Sequence, residues 1–253
     1  MNVNPGGRMR RSILFLAVTA AFAAAASWSI GPGGLSGWQG LPCSDVLETG
    51  LLRASGTMEY TDTGDGAVLS IPLKVCWGAD KDIELGAVVP VFPVDNAFEG
   101  SLMGDITFSG GWLYEMTRGG TALKLTGRLT LPTGEEFRDT GAELAVGGTT
   151  STTFLDFRLS VSAEYALNGG RNPFDDTISD VMYFTLGGTS FVTTDILLSA
   201  RMNGSTSSVF RAGAGAQFLL EDNLAIGGGF SLGLNDSENF GLYAGLNWTG
   251  SGF

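Results

Sequence analysis

The stretch FLDFRLSVSAEYAL, Phe154 to Leu167, alternates almost without a break. Leu155, Phe157, Leu159, Val161, Ala163, Tyr165 and Leu167 fall on one side, and Asp156, Arg158, Ser160, Ser162 and Glu164 on the other. A period of two predicts a β-strand, because successive side chains leave the pleat on opposite faces. Such a strand separates two environments. These are either a protein core and water, or lipid and a polar lumen.

The same pattern recurs along the chain. Working outward, twelve β segments are expected: Leu52–Tyr60, Ala67–Trp77, Ile83–Val91, Asp105–Met116, Thr121–Leu131 and Gly141–Gly148, then Phe154–Leu167, Val181–Gly187, Val192–Met202, Val209–Leu220, Leu224–Leu234 and Phe240–Trp248. Most reach the roughly 9–11 residues that a tilted membrane strand needs. In TALKLTGRLTL, Leu123, Leu125, Leu129 and Leu131 oppose Lys124, Thr126, Arg128 and Thr130. In VFRAGAGAQFLL, Phe210, Ala212, Ala214, Ala216, Phe218 and Leu220 oppose Arg211, Gly213, Gly215 and Gln217.

Soluble sandwiches alternate too, so the charges decide. The polar faces take the acids Glu59, Glu84, Asp105, Glu115, Glu143, Asp156, Glu164 and Asp195. They also take the bases Arg53, Lys74, Lys124, Arg128, Arg158, Arg201 and Arg211, so these faces are close to neutral and suited to ion-pair ladders across an enclosed lumen. The apolar faces carry no charge. That is the requirement of a lipid-facing wall, where an Arg or Lys at the midplane costs about 2–4 kcal/mol. The expected fold is therefore all-β, an antiparallel transmembrane β-barrel of about twelve strands.

The start of the chain supplies an address. RMRR (Arg8 to Arg11) precedes the apolar run SILFLAVTAAFAAAA, and Ala24-Ala25-Ala26 offers small residues for cleavage before Ser27. That layout is a secretory signal peptide. Residues 1–26 are read as this peptide, 27–50 as an N-terminal periplasmic segment or plug, and 51–253 as the barrel. The net charge of −12 argues against nucleic acid as a partner, because phosphates need Lys and Arg. The partners expected instead are outer-membrane lipids, lipopolysaccharide and the barrel-assembly machinery.

Connection lengths give an independent check. With a periplasmic N-terminus, odd-to-even links should be extracellular and longer. They include FPVDNAFEGSLMG, PTGEEFRDT, NGGRNPFDDTISD and LNDSENF, against the even-to-odd links GADKD, MTRGG, GGTTSTT, GGTSF and LEDN. Acids gather on the outer links, at Asp95, Glu99, Glu135, Glu136, Asp139, Asp175, Asp176, Asp180, Asp236 and Glu238. Aromatic residues near strand ends, such as Tyr60, Trp77, Trp112, Tyr114, Tyr165 and Trp248, suit interfacial girdles. Phe253 ends the chain as outer-membrane barrels commonly end, though out of phase with Leu242, Ala244, Leu246 and Trp248.

Three stretches carry a resemblance. KVCWGADKDIELGAVVPV (Lys74 to Val91), GDITFSG (Gly104 to Gly110) and LKLTGRLTLPTGEEFRDTGAELAVGG (Leu123 to Gly148) resemble a family of bacterial outer-membrane barrels labelled transporter or "meta-pathway of phenol degradation". The tail GGFSLGLNDSENFGLYAGLNW resembles its closing hairpin. The resemblance implies an outer-membrane location and the passage of small aromatic or other apolar compounds. Read without the family, Pro132 of L-P-T-G stops ladder pairing and Gly134 lets the backbone turn.

The chain has no His, which excludes Ser-His-Asp and Cys-His catalysis and His-ligated zinc. No enzyme activity, cofactor or metal site is expected. Cys43 and Cys76 are the two cysteines. Cys76 shares the inward face with Lys74 near the periplasmic mouth, so a disulfide pinning the N-terminal segment there is one expectation and two thiols the alternative. The lumen-lining candidates are Glu59, Lys74, Glu84, Lys124, Arg128, Glu143, Asp156, Arg158, Glu164, Asp195, Arg201 and Arg211. Two readings of function compete. One is a passive channel for small apolar or aromatic solutes, and the other a closed barrel that binds through its acidic outer loops.

Overall fold

The structure is a computed structural model, and it describes residues 34–35, 37–38, 41–62, 67–95, 103–115, 121–134, 142–168, 180–206, 210–235 and 240–252. A two-stranded ribbon, β1 (Gly37–Trp38) and β2 (Leu41–Pro42), precedes twelve long strands. These are β3 (Leu51–Asp62), β4 (Ala67–Asp80), β5 (Ile83–Asp95), β6 (Ile106–Glu115), β7 (Thr121–Leu131) and β8 (Glu143–Phe154). They continue as β9 (Phe157–Asn168), β10 (Val181–Thr193), β11 (Ile196–Ser205), β12 (Phe210–Glu221), β13 (Leu224–Gly233) and β14 (Phe240–Ser251). Each pairs antiparallel with its chain neighbours, and β14 closes on β3 from Phe240↔Asp62 to Ser251↔Leu51. Closure joins the first strand to the last, so the wall's amides pair within the barrel rather than with water, as a lipid solvent demands.

The two ends differ. Lys81–Asp82, Leu155–Asp156, Thr194–Asp195 and Asp222–Asn223 are two-residue turns at one end, and β3 starts and β14 finishes there. At the other end, residues 96–105, 132–142 and 169–180 connect the strands.

Two turn positions correct the sequence reading. Gly147–Thr153 was expected to be a link but belongs to β8, and the turn is Leu155–Asp156, with Leu155 at φ 55°. Gly187–Phe191 likewise belongs to β10, and the turn is Thr194–Asp195. The cause is physical. Every second residue of these segments points inward, where Thr149, Ser151 and Thr189 are buried in the lumen. A composition that marks a turn in a water-soluble protein here marks the crowded side of a wall. Asp156 and Asp195, expected in the lumen, are therefore exposed turn residues.

Alternation runs opposite to that of a soluble protein. On β14, apolar Leu246 is 50% exposed and its polar neighbour Asn247 is 2% exposed. Leu73, Leu85, Leu144, Val161 and Leu186 stand outward beside buried inward neighbours in the same way. Exposed aromatics ring both ends, with Trp77, Trp112, Tyr114 and Trp248 toward the short turns and Tyr60, Phe184, Phe210 and Phe240 toward the long links. Trp112 and Tyr114 meet edge to face at 6.2 Å. Aromatic rings at both rims of an apolar band are the signature of a membrane barrel.

A clasp ties two sequence motifs together at the long-link end. Asp105 Oδ1 accepts hydrogen bonds from Thr133 N (3.1 Å) and Gly134 N (2.9 Å). Thr133 Oγ1 accepts one from Ile106 N at 2.9 Å. The G-D just before β6 and the T-G after β7 are thus two halves of one lock. The expected signal peptide, Phe253, the side chain of Glu115 and the outer-link acids other than Asp180 lie outside the described residues, Asp95 through its side chain alone.

Candidate functional site

The barrel interior has two storeys. Near the short turns, residues 41–48 run through the lumen, where Leu41, Cys43, Ser44 and Leu47 are buried. Four wall strands hold this segment. Lys124 Nζ donates to Glu84 Oε1 at 2.8 Å and to the Asp45 carbonyl at 2.9 Å, and Glu84 Oε2 accepts from Leu47 N at 3.0 Å. Arg158 grips the Asp45 carboxylate with both terminal nitrogens and reaches Ser44 Oγ at 3.4 Å. Ser44 N donates to Ser151 Oγ at 3.0 Å, and Ser151 shares a 2.8 Å hydrogen bond with Ser160. On the far side Leu41 packs with Leu197 and Phe191.

Glycines in the wall make room for the segment. A Cβ on Gly78 would sit 2.0 Å from the Glu48 carbonyl oxygen, and one on Gly86 would sit 2.2 Å from that of Gly34. One on Gly187 would meet the Leu41 side chain at 2.8 Å. The glycines at these inward positions are what lets a second layer of backbone lie against the wall.

The Cys43–Cys76 disulfide does not form in the structure, where both residues are buried thiols. Cys76 Sγ donates to Glu84 Oε2 at 3.5 Å, and Cys43 Sγ lies 3.9 Å from Asp45 Oδ2. Burial, with Asp45 adding to it, pushes the Cys43 thiol up to about 11. Its proton is held, and with it the nucleophilicity of the sulfur is suppressed.

Above this layer, toward the long links, lies a cavity of about 530 Å³ with Pro42 as part of its floor. Glu59, Lys74, Arg128, Glu164, Arg201 and Arg211 all line it. Arg128 is neutralised on its own wall, by Glu164 (Nε to Oε1, 3.1 Å) and by Glu143 at 2.8 Å. Arg201 instead lies over the ring of Tyr243, 5.3 Å from its centroid. Arg211 stands on the next strand, one diagonal step away.

The structure therefore places ten of the twelve lumen candidates on the inward face, leaving out Asp156 and Asp195. Asp105 goes to the clasp. That changes the charge balance: the described inward acids are Glu59, Glu84, Glu143 and Glu164, against the bases Arg53, Lys74, Lys124, Arg128, Arg158, Arg201 and Arg211. Among the described residues the inward faces are cationic rather than neutral, and Asp45 of the inner segment offsets one of these charges. Sequence reasoning missed Asp45, Ser151 and Tyr243. Asp45 sits in a segment without periodicity. Tyr243 carried one signal, inward-facing glycines on the neighbouring strands at 213, 215 and 229.

Comparisons with known proteins agree on the wall. The COG4313 outer membrane channel from Pseudomonas putida F1 is similar, with a TM-score of 0.66 at 11% identity over 82% of this chain and 98% of that one. The KdgM porin gives 0.57 at 9% identity over 78% and 98%. The outer membrane phospholipase A from Escherichia coli gives 0.50 at 11% identity over 89% and 96%. At such identities these likenesses establish the fold, which hosts channels and an enzyme alike. No curated protein matches the sequence. A family profile matches residues 47–249, nearly the whole barrel. The chain is thus a bacterial outer-membrane β-barrel and belongs to the family described as "Putative MetA-pathway of phenol degradation".

Proposed function

We propose that this barrel is a channel for small solutes, with residues 41–48 as a plug that must shift for solutes to pass. The observation that carries the reading is the two-storey lumen. A polar cavity of about 530 Å³ stands above an inner segment held by side-chain contacts rather than by the wall's own ladder. A barrel built only as a scaffold needs no such cavity. The family description points to aromatic or apolar compounds as cargo. Outer-membrane lipids and lipopolysaccharide surround the wall in this reading, and the barrel-assembly machinery inserts it. The absence of His argues against a lipid-acting enzyme on the same fold.

Single-channel recording of the refolded protein in a planar bilayer tests this. Discrete conductance steps are expected. Persistent silence, with a heat-modifiable folded barrel confirmed on a gel, would overturn the channel reading and favour a closed barrel that acts through its outer links.

A further inference from the structure

Across the barrel from the strands that grip residues 41–48, the wall carries buried polar groups of its own. Thr57 on β3, Asn247 on β14 and Gln217 on β12 are only 1, 2 and 4% exposed. Thr57 Oγ1, Gln217 Oε1 and both amide atoms of Asn247 have no hydrogen-bond partner among the described residues. A buried polar atom is expensive to leave unmet, and where there is room proteins meet it with ordered water.

The register supplies the room. Gln217, Gly227, Gly245 and Thr57 are cross-strand partners in one row, so two glycines separate its polar ends. Asn247 stands one inward step from Gly245 toward the short turns. Thr57 leans over this strip, since a Cβ on Gly245 would sit 2.9 Å from its hydroxyl oxygen. The seal is also thin. On β14 the inward neighbours of Asn247, Gly245 and Thr249, are partly exposed, and on β12 so are Gly215 and Leu219 around Gln217. Above, Glu59, Thr61, Gly241 and Tyr243 of β3 and β14 line the upper cavity. Below, Arg53 Nε donates to Thr249 Oγ1 at 2.9 Å. On β12 and β14, therefore, one buried residue with a neutral amide separates accessible space above from accessible space below.

We propose that the Thr57–Asn247–Gln217 strip is a water path through the lower storey, open to water but not to ions while residues 41–48 stay docked. The Asn247 amide offers donors and an acceptor, Gln217 Oε1 an acceptor and the Thr57 hydroxyl both, the stations a hydrogen-bonded file needs. These neutral groups replace water's partners, but none carries the charge that would offset stripping an ion of its hydration. The path goes beyond the channel reading, which concerns solutes that pass once the segment has shifted.

Stopped-flow light scattering of proteoliposomes in a sucrose gradient tests this, with the wild type, Asn247→Leu and Gln217→Leu each confirmed on a gel as heat-modifiable folded barrels. Maleimide labelling of Cys43 in the same vesicles reports whether the segment is docked. Water flux above that of protein-free vesicles is expected while Cys43 stays unlabelled. Each Leu change should lower the protein's share of that flux about fivefold, the weight of one hydrogen bond. Four results would each overturn the path: flux equal to that of protein-free vesicles, Leu variants as permeable as the wild type, flux that rises only in step with Cys43 labelling, or steady ion current in the docked state. Bilayer recording keeps the two readings apart. Electrical silence with water flux fails the channel and leaves the path standing, and conductance steps without water flux in the docked state do the reverse.

Discussion

At the scale of single residues, the most exacting group is Glu84. It is fully buried, pairs with an equally buried Lys124 and accepts hydrogen bonds from the Leu47 amide and the Cys76 thiol. Replacing it with Gln removes the carboxylate that stands 2.8 Å from the Lys124 ammonium. Breaking a buried pair from one side costs about 3–5 kcal/mol, because the orphaned charge stays dry. Glu84→Gln should lower the denaturant midpoint of the folded barrel. The double change Glu84→Gln with Lys124→Met should recover most of that loss, since it removes the stranded charge. A double variant as unstable as the single one would show that Glu84 acts through Leu47 rather than through Lys124. At this scale the sequence was informative about direction and weak about company. Period two put Glu84 and Lys124 inward, but nothing in the chain announced that Asp45 would come to them.

At the scale of elements, twelve strands were legible because an outer face that meets lipid tolerates no charge, and the alternation is correspondingly clean. Turns were harder. Gly147–Thr153 and Gly187–Phe191 read as links on composition, yet they are wall, and the turns fall on Asp156 and Asp195, two acids that the alternation places in the lumen. The clasp of Asp105 on Thr133 and Gly134 shows the converse, a pair of motifs noticed separately and found to be one device. Asp105→Ala removes the acceptor for two amides at a partly exposed site, which should cost roughly 1 kcal/mol. Hydrogen exchange should locate the effect, with faster exchange at the Thr133 and Gly134 amides and unchanged protection in β12 and β13. Uniform loss of protection around the barrel would mean the clasp registers the whole wall rather than one hairpin end.

At the scale of the whole molecule, the wall and the inner segment are separable. The wall closes through its own ladder from β3 to β14, whereas residues 41–48 are held by side chains and by gaps left at glycines. Gly78 tests that separation. A side chain there points inward and meets the backbone of Leu47 and Glu48 first, so Gly78→Val should expel the segment while β4 keeps its register. Cys43 reports the outcome. While docked, its thiol is held to about 11 from an ordinary 9.0 by burial and by Asp45, so maleimide should label it slowly near neutral pH. The sign follows: a raised value in the docked state stabilises docking fully below 9.0 and loses that contribution as pH climbs through about 11. Wild-type labelling should therefore accelerate steeply over that interval, beyond the rise from thiolate formation in a free cysteine. Gly78→Val should label at the rate of a free thiol already at neutral pH and conduct more than the wild type. Fast labelling without added conductance would leave the segment out of the pore yet the lumen still shut, and the constriction would then belong to the charged wall of the upper cavity.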